Sequence, residues 1–259
     1  MNLFKSLMLA SVFFSPFSVM AQDLAHNSLV IKNESSLGMT SFKSAQSQAL
    51  DTELFFGKHL SEAQKGNNKY SLFGNYFYGK TGNELTARSW MGGFRYDRFI
   101  NPDLSFFAAE TLDGNRFLSF VLRSNTDIGS KYYWSAKNDD KDATFALIEG
   151  GYRITYEDRT SQPGSTFSAN STSHKVRIYS FNSYAWTANF ATTFGVEYLK
   201  TLGNDNRDQM NAELAAINKL SEILSFKASY LVNYDDTLKE QGFESNSSRT
   251  LAVSLIANY

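Results

Sequence analysis

The three histidines of this sequence are its side chains best suited to acid–base chemistry, and His26 and His174 are the two that we pair with a neighbouring serine as catalytic candidates. His26 comes two residues before Ser28, and His174 directly follows Ser173. Acyl transfer needs at least a serine in contact with a histidine, and a third group that orients the histidine ring. For the remaining histidine, His59, the sequence identifies no partner.

Two carboxylates, Glu157 and Asp158, end a segment that is expected near His174. One hypothesis is therefore a hydrolase of lipid or peptide substrates that uses His174 with one of these carboxylates. A lone histidine at the edge of a sheet is, however, more often a surface residue than a catalytic base. We therefore expect no catalytic residues and keep the hydrolase as the alternative.

Metal and cofactor sites are not indicated by the polar segments of the chain. Residues 138–142 and 204–208 resemble calcium loops, but both lack the central glycine and the closing glutamate that an EF-hand loop requires. Cysteine is absent, which excludes thiol chemistry and cysteine zinc sites. A formal net charge of -1 without a basic stripe argues against a nucleic-acid partner.

A set of charged residues recurs at alternate positions within segments of otherwise apolar and small polar side chains. These residues are Arg95, Asp97, Glu149, Arg153, Glu157, Glu197, Glu213 and Lys227. In a membrane strand, an Arg or Lys facing lipid near the midplane costs about 2–4 kcal/mol, so these charges are expected to face inward. There they either line a path for small polar or charged solutes or pair across the interior and close it.

The elements that would position these charges are strands, because apolar and polar residues alternate through most of the chain. The clearest case is the end of the sequence, where Leu251, Val253, Leu255, Ala257 and Tyr259 alternate with polar or small residues. This pattern is typical of the closing strand of an outer-membrane barrel, whose terminal aromatic lies in the interfacial girdle. The same ending is the kind that the barrel-assembly machinery reads.

We predict a single all-β domain, an antiparallel up-and-down transmembrane barrel of about twelve strands, with ten to fourteen as the range. An even number of strands leaves both termini on one side, which we expect to be periplasmic. The predicted strands lie near residues 28–39, 48–59, 68–79, 84–98, 103–113, 116–135, 142–157, 173–184, 187–200, 208–219, 223–236 and 247–259. This segmentation leaves a rather long inner turn at residues 61–67.

The N-terminus has the features of a secretory signal peptide. Lys5 precedes an apolar run that ends in Val19, Met20 and Ala21, a small-residue cleavage pattern. We therefore expect residues 1–21 to be removed on export and residues 22–259 to form the barrel.

Two segments of the chain are alike: Gly92 to Arg98 reads GGFRYDR, and Gly150 to Arg153 reads GGYR. With the segment Asp113 to Phe117 and the barrel-type ending, they make the chain resemble the YdiY-like family of salt-induced outer-membrane proteins, domain of unknown function family 481. The resemblance covers roughly residues 28 to 259. It implies a small outer-membrane barrel and a link to salt stress.

The sequence thus favours a non-catalytic protein of the bacterial outer membrane, either a narrow pore or a plugged barrel that supports envelope integrity. Its expected partners are outer-membrane lipid, lipopolysaccharide, the barrel-assembly machinery and, for a pore, small solutes. A soluble periplasmic binding module is a third possibility, and it requires that the aromatic stripes pack against a protein core.

Overall fold

The computed structural model of the protein describes residues 29–42, 52–81, 84–115, 122–135, 144–158, 170–203, 207–236 and 246–258. These residues form twelve strands. The strands are β1 (Val30–Phe42), β2 (Thr52–Lys65), β3 (Asn68–Thr81), β4 (Glu84–Phe99), β5 (Leu104–Asn115), β6 (Leu122–Ser135), β7 (Phe145–Asp158), β8 (Asn170–Ala185), β9 (Phe190–Leu202), β10 (Gln209–Lys219), β11 (Leu224–Asp235) and β12 (Ser247–Asn258).

The strands form one closed barrel, which confirms the predicted fold class and strand number. Each strand pairs antiparallel with its neighbours in the chain, and β1 closes the ring by pairing with β12, where Ser36 lies opposite Ile256. Closure satisfies the backbone hydrogen bonds that an edge strand would leave open. Among the described residues, no helix is long and apolar enough to cross a membrane.

Alternation along the strands separates an apolar exterior from a mixed interior. On β7, Ile148 and Ile154 face outward and are 53% and 39% exposed, whereas Leu147 and Glu149, on either side of Ile148, are buried inside. Aromatic residues concentrate on the exterior near the two ends of the barrel, with Trp134 and Tyr184 near one end and others near the opposite end. This distribution matches the lipid-facing band and aromatic girdles of membrane barrels.

One predicted strand boundary, the end of the second strand, was wrong. The second strand continues to Lys65 instead of ending at residue 59, so the expected inner turn shrinks to Gly66 and Asn67. Gly66 adopts a φ of 54°, which a glycine reaches without strain and which allows this tight connection. The predicted start of the sixth strand, residue 116, lies outside the described residues, and β6 is described from Leu122.

The even strand number places the start of β1 and the end of β12 at the same end of the barrel, which we call the terminal rim; the opposite end is the loop rim. Three connections at the terminal rim, residues 100–103, 186–189 and 220–223, share one hydrogen-bond pattern. The backbone N–H groups of Ile100, Trp186 and Leu220 each donate to the carbonyl four residues ahead. Within these turns Asn101, Thr187 and Ser221 accept backbone hydrogen bonds, as turn-forming side chains commonly do.

Candidate functional site in the barrel lumen

Arginine and carboxylate side chains meet in the middle of the lumen. Arg95 on β4 donates two hydrogen bonds to Asp97, both 2.9 Å, and two to Glu149 on β7, at 2.8 and 3.2 Å. Arg177 on β8 reaches the same Glu149 at 2.6 Å and also binds Glu197 on β9. Paired guanidinium–carboxylate contacts of this kind combine charge with fixed geometry.

The same cluster continues through two further cations. Arg153 on β7 donates to Asp127 on β6 at 2.7 Å and to Glu197 at 3.3 Å. Lys131 on β6 lies 2.6 Å from Asp97. We call the whole set the central ion network, and it consists of Arg95, Lys131, Arg153, Arg177, Asp97, Asp127, Glu149 and Glu197. Its four cations and four anions balance.

Three members of the central ion network are almost completely shielded from water, whereas the side chains of its arginines are 11–16% exposed. The side chains of Glu149, Asp97 and Lys131 are 0%, 1% and 2% exposed. An aqueous channel beside them would leave these side chains accessible, and burial of charges is tolerated only when they are paired and hydrogen-bonded. These three side chains therefore border no water-filled passage, and the network lies in the part of the lumen that β4 and β6 to β9 enclose.

An aromatic ring on β5 supports the network from one side. The Cζ atom of Arg95 lies 4.1 Å from the centroid of the Phe107 ring, and that of Arg177 lies 6.0 Å away. These distances fit cation–π stacking. Phe107 lies directly opposite Gly129 in the ladder between β5 and β6, and Gly129 in turn faces Gly151 on β7. Gly129, which has no side chain, leaves the space that the ring occupies.

On the side of β6 to β8, apolar side chains pack in the lumen toward the terminal rim. Phe145, Leu147, Tyr179 and Phe181 form a buried cluster, and Tyr133 packs against it. The rings of Phe145 and Phe181 are 5.6 Å apart between centroids. This cluster closes the lumen between the central ion network and the terminal rim on the side of β6 to β8.

Toward the loop rim, the lumen is polar and more accessible. Arg123 lies 2.9 Å from Asp113 and 3.8 Å from Glu157, and its side chain is 23% exposed. Lys175 donates to Gln209 at 2.8 Å, and Gln209 donates to Asp235 at 2.6 Å. Along β6 to β8 the interior thus changes from polar at the loop rim to apolar near the terminal rim, whereas on β2 and β3 the buried Lys69–Glu62 pair lies near the terminal rim.

One acidic group lies at the loop rim in the connection before β10. Asp208 accepts hydrogen bonds from Lys200 at 2.7 Å, from the backbone N–H of Thr201 at 3.1 Å and from Tyr198 at 3.0 Å. Partial burial raises the pKa of Asp208, but these three donors outweigh it and hold the pKa below its usual range. They tie the connection to the end of β9.

The structure places the eight charges singled out in the sequence on the inner face of the barrel. Five of them belong to the central ion network, and Glu157 lies beside Arg123 nearer the loop rim. Glu213 and Lys227 form a separate pair between β10 and β11, 2.7 Å apart.

Three members of the network were not predicted from the sequence: Asp127, Lys131 and Arg177. Asp127 and Lys131 alternate on β6 with Ile128 and Tyr132, which face outward. Assigning the two faces of this segment would have identified them.

One charge departs from the rule that mid-strand charges point inward. Glu110 alternates with the inward residues of β5 and accepts hydrogen bonds from Ser124 and Thr126 on the exterior of β6, both at 2.5 Å. The two hydroxyls satisfy both carboxylate oxygens, which lowers the cost of the outward position.

The final strand places its apolar residues on the exterior. Leu251, Val253 and Leu255 are 65%, 38% and 45% exposed, and Ala257 shares their face. Tyr259, the last residue of the predicted assembly signal, lies outside the described residues.

The histidine of the alternative hydrolase has a different partner from the one expected. His174 faces the exterior, where its ring stacks on Tyr152 and its Nδ1 lies 2.6 Å from the Tyr152 hydroxyl. Glu157 lies on the inner face, and the register sets Asp158 opposite Asn170, four positions from His174 along β8. The geometry therefore gives no support to a His174–carboxylate pair. His26 lies outside the described residues.

His59, by contrast, has the partners that the sequence did not reveal: its ring lies between Ser35 and Ser61 on the barrel exterior. Of the calcium-like segments, residues 138–142 lie outside the described part of the chain. Within the described ranges, no group of three or more His, Cys, Asp or Glu side chains is placed to hold a metal ion.

Comparison with known proteins supports the architecture. The sequence model of the family described as "Protein of unknown function, DUF481" matches residues 46–259. No curated protein sequence matches the chain. Among solved structures, the NanC porin is similar with a TM-score of 0.53 and 11% identity, over 86% of this chain and 98% of the porin. An outer membrane channel from Pseudomonas putida F1 is similar with a TM-score of 0.53 and 7% identity, over 88% of this chain and 95% of the channel.

Proposed function

The chain belongs to this family of proteins of unknown function, DUF481, and we propose that it is a closed outer-membrane barrel that supports envelope integrity and carries out no chemistry in its lumen. The observation that carries the proposal is the burial of Glu149 between Arg95 and Arg177, with 0% of its side chain exposed. A channel for solutes needs a water-accessible lining at this level, and the central ion network takes its place.

The proposed location is the bacterial outer membrane, reached after removal of residues 1–21. Support comes from the apolar exterior, on which Leu37 and Ile128 are 73% and 56% exposed, and from the fold shared with the NanC porin and the Pseudomonas channel. We propose that both termini face the periplasm, and that β12 is the segment that the barrel-assembly machinery reads. Lipid and lipopolysaccharide would then surround the barrel.

The energetics of the network favour a bracing role. Each buried ion costs several kcal/mol in lost hydration, and only complete pairing repays this cost. The central ion network satisfies this condition, since its charges balance and each carboxylate contacts at least one cation. Its members come from β4, β6, β7, β8 and β9, so it ties one half of the wall together across the lumen. The link to salt stress remains an implication of the family resemblance.

A narrow pore for small ions is the second candidate. It is favoured by the polar part of the lumen at the loop rim, where Arg123 is 23% exposed, and by the fold that this chain shares with a porin and a channel. On this hypothesis the central ion network is the constriction, and its charges set the ion preference.

Recording from a planar bilayer tests the proposal. The refolded protein is expected to insert without discrete conductance steps. Arg153→Ala removes the side chain between Asp127 and Glu197, and is expected to produce steps with a cation preference, because both carboxylates lose a partner. Lys219→Ala, which removes an exposed positive charge at the terminal rim, serves as the control. Regular steps from the unaltered protein, with an ion preference that changes in Arg153→Ala, would instead establish the pore.

A further inference from the structure

A chain of hydrogen-bonded polar side chains lies on the exterior of β1 and β2. The Ser35 Oγ lies 2.8 Å from His59 Nδ1, and His59 Nε2 lies 2.9 Å from the Ser61 Oγ. Ser61 also lies 2.8 Å from the Asn33 Oδ1, to which it donates. In the ladder between the two strands, Ser35 is directly opposite His59 and Asn33 is directly opposite Ser61. The four side chains therefore meet because of the register.

The surroundings of this chain are apolar. Leu37 follows Ser35 on the same face of β1 and is 73% exposed, and Leu72, opposite Ser61 on β3, is 60% exposed. On a lipid-facing surface, an imidazole and two hydroxyls are costly unless they bond to one another. Here they form hydrogen bonds to one another in the order Ser35, His59, Ser61.

From this geometry we propose that the exterior of β1 and β2 carries a hydrolytic site for acyl esters of membrane phospholipids, with Ser61 as nucleophile and His59 as its general base. A serine in hydrogen-bond contact with a histidine that is oriented by a third group is the minimum arrangement for acyl transfer. Ser35 is the third group and acts as a positioning residue. This inference goes beyond the proposed function of the lumen, and each can fail without the other.

The Ser61 hydroxyl carries one proton, which goes either to Asn33 or to His59. When Ser61 donates to Asn33, the ring proton of His59 is on Nε2 and Ser35 donates to Nδ1. When the ring proton is on Nδ1, it is donated to Ser35, and Nε2 accepts the proton of Ser61. The second state is the reactive one, and Ser35 stabilises it by accepting the Nδ1 hydrogen bond.

The reaction uses water as its only co-reactant. The Ser61 Oγ attacks the ester carbonyl while its proton passes to His59 Nε2, and the ester C–O bond breaks as that proton passes to the departing alcohol. Water then attacks the acyl-serine, gives a proton to Nε2, and the fatty acid leaves as Ser61 regains it. In the structure the Asn33 Oδ1 accepts from Ser61. Rotation of the side-chain amide by half a turn brings its nitrogen toward Ser61, where it can donate to the carbonyl oxygen that becomes negative.

The height of the site on the wall indicates which lipid groups reach it. Ser61 is two residues from Ala63, which lies opposite Tyr70 in the ladder. Tyr70 packs against Tyr96 with 5.2 Å between ring centroids, and both belong to the aromatic band nearest the terminal rim. Aromatic bands mark the level of the headgroups, so lipid ester groups lie within a few ångströms of Ser61. The substrate is therefore a phospholipid of the leaflet at the terminal rim.

The orienting group is a neutral hydroxyl and not a carboxylate, so turnover is expected to be slow. The test uses the full folded protein in liposomes of phosphatidylethanolamine and phosphatidylglycerol, with release of fatty acid as one readout. Covalent labelling by an alkyl fluorophosphonate, located by peptide mass spectrometry, is the second readout. The variants are Ser61→Ala, His59→Ala and, as matched control, Ser180→Ala, which removes a serine from the exterior of β8 opposite Ile148.

The proposal predicts fatty-acid release that is lost in Ser61→Ala, falls about 100-fold or more in His59→Ala, and is unchanged in Ser180→Ala. It also predicts labelling at Ser61 that depends on His59. The heat-modifiable gel shift of each variant shows that its barrel has folded. Equal release from the folded protein and folded Ser61→Ala, or the absence of label at Ser61, overturns the proposal.

Discussion

The ring of Phe107 lies over the backbone of Gly129, its direct partner in the ladder between β5 and β6. A Cβ atom added to Gly129 would lie 2.8 Å from the Phe107 Cζ, which is closer than real Cβ contacts allow. The contact also affects the central ion network, because the same ring stacks with the Arg95 guanidinium at 4.1 Å. A small residue on one strand thus positions an arginine of the central ion network on another.

Gly129→Ala is therefore expected to destabilise the barrel by about 1–3 kcal/mol, the usual cost of overpacking a filled interior. The matched control is Gly150→Ala, because a Cβ at Gly150 meets no atom within 4 Å. Urea unfolding in lipid vesicles, followed by tryptophan fluorescence, measures both. Equal unfolding free energies for the two variants would contradict the packing that we describe.

Glu149→Gln removes the negative charge between two guanidinium groups. Breaking a buried ion pair from one side costs about 3–5 kcal/mol, since the remaining cations keep their burial without their partner. We expect a loss of that size in the unfolding free energy. Glu222→Gln, in the exposed turn before β11, is the control and should leave stability unchanged. A Glu149→Gln barrel as stable as the parent would show that the network does not brace the wall.

If the exterior faces lipid, the free energy of folding that a charged substitution costs depends on the depth of the residue in the membrane. Ile128→Arg places a charge in the middle of the apolar band, where it costs about 2–4 kcal/mol, whereas Trp134→Arg near the terminal rim costs about 0–1 kcal/mol. Both positions are well exposed on the exterior, at 56% and 73%. Folding free energies in vesicles measure the difference, and equal costs at the two depths would argue against a membrane exterior.

Cleavage of the signal peptide during export predicts the residue at which the mature protein begins. If residues 1–21 are removed, the protein isolated from membranes begins at Gln22. Intact mass spectrometry of the protein from an outer-membrane fraction measures this start. A mass that includes Met1 to Ala21 would refute the cleavage.

Much of the fold could be predicted because every strand of a barrel wall follows the same alternation of outward-facing and inward-facing residues. Leu251, Val253 and Leu255 alternate strictly, and the same alternation in the other strands gave their number and most of their limits. The limits failed where the strand carries polar residues on its outer face, as at His59 and Ser61, because no apolar stripe marks the continuation of β2.

The candidate sites were harder to predict because they depend on register between strands. The alternation of residues along each strand places Arg95 and Glu149 on the inner face. Their contact depends on the register between strands and on the length of the side chains, because β4 and β7 are three strand spacings apart. His59 and Ser35 lie far apart in the chain, and their contact follows from a pairing that no local pattern encodes. The sequence therefore identified members of the lumen set without showing which charges pair.

The closed lumen is tested most directly by thiol accessibility, since the chain contains no cysteine. Ser105 faces inward, is 0% exposed, and its Oγ has no hydrogen-bond partner among the described residues, so Ser105→Cys loses none of the bonds that the structure shows. The control is Ala188→Cys in the exposed turn before β9. A charged, water-soluble thiol reagent is expected to modify Ala188→Cys in the folded barrel and Ser105→Cys only after unfolding. Modification of both at similar rates in the folded barrel would contradict the closed lumen.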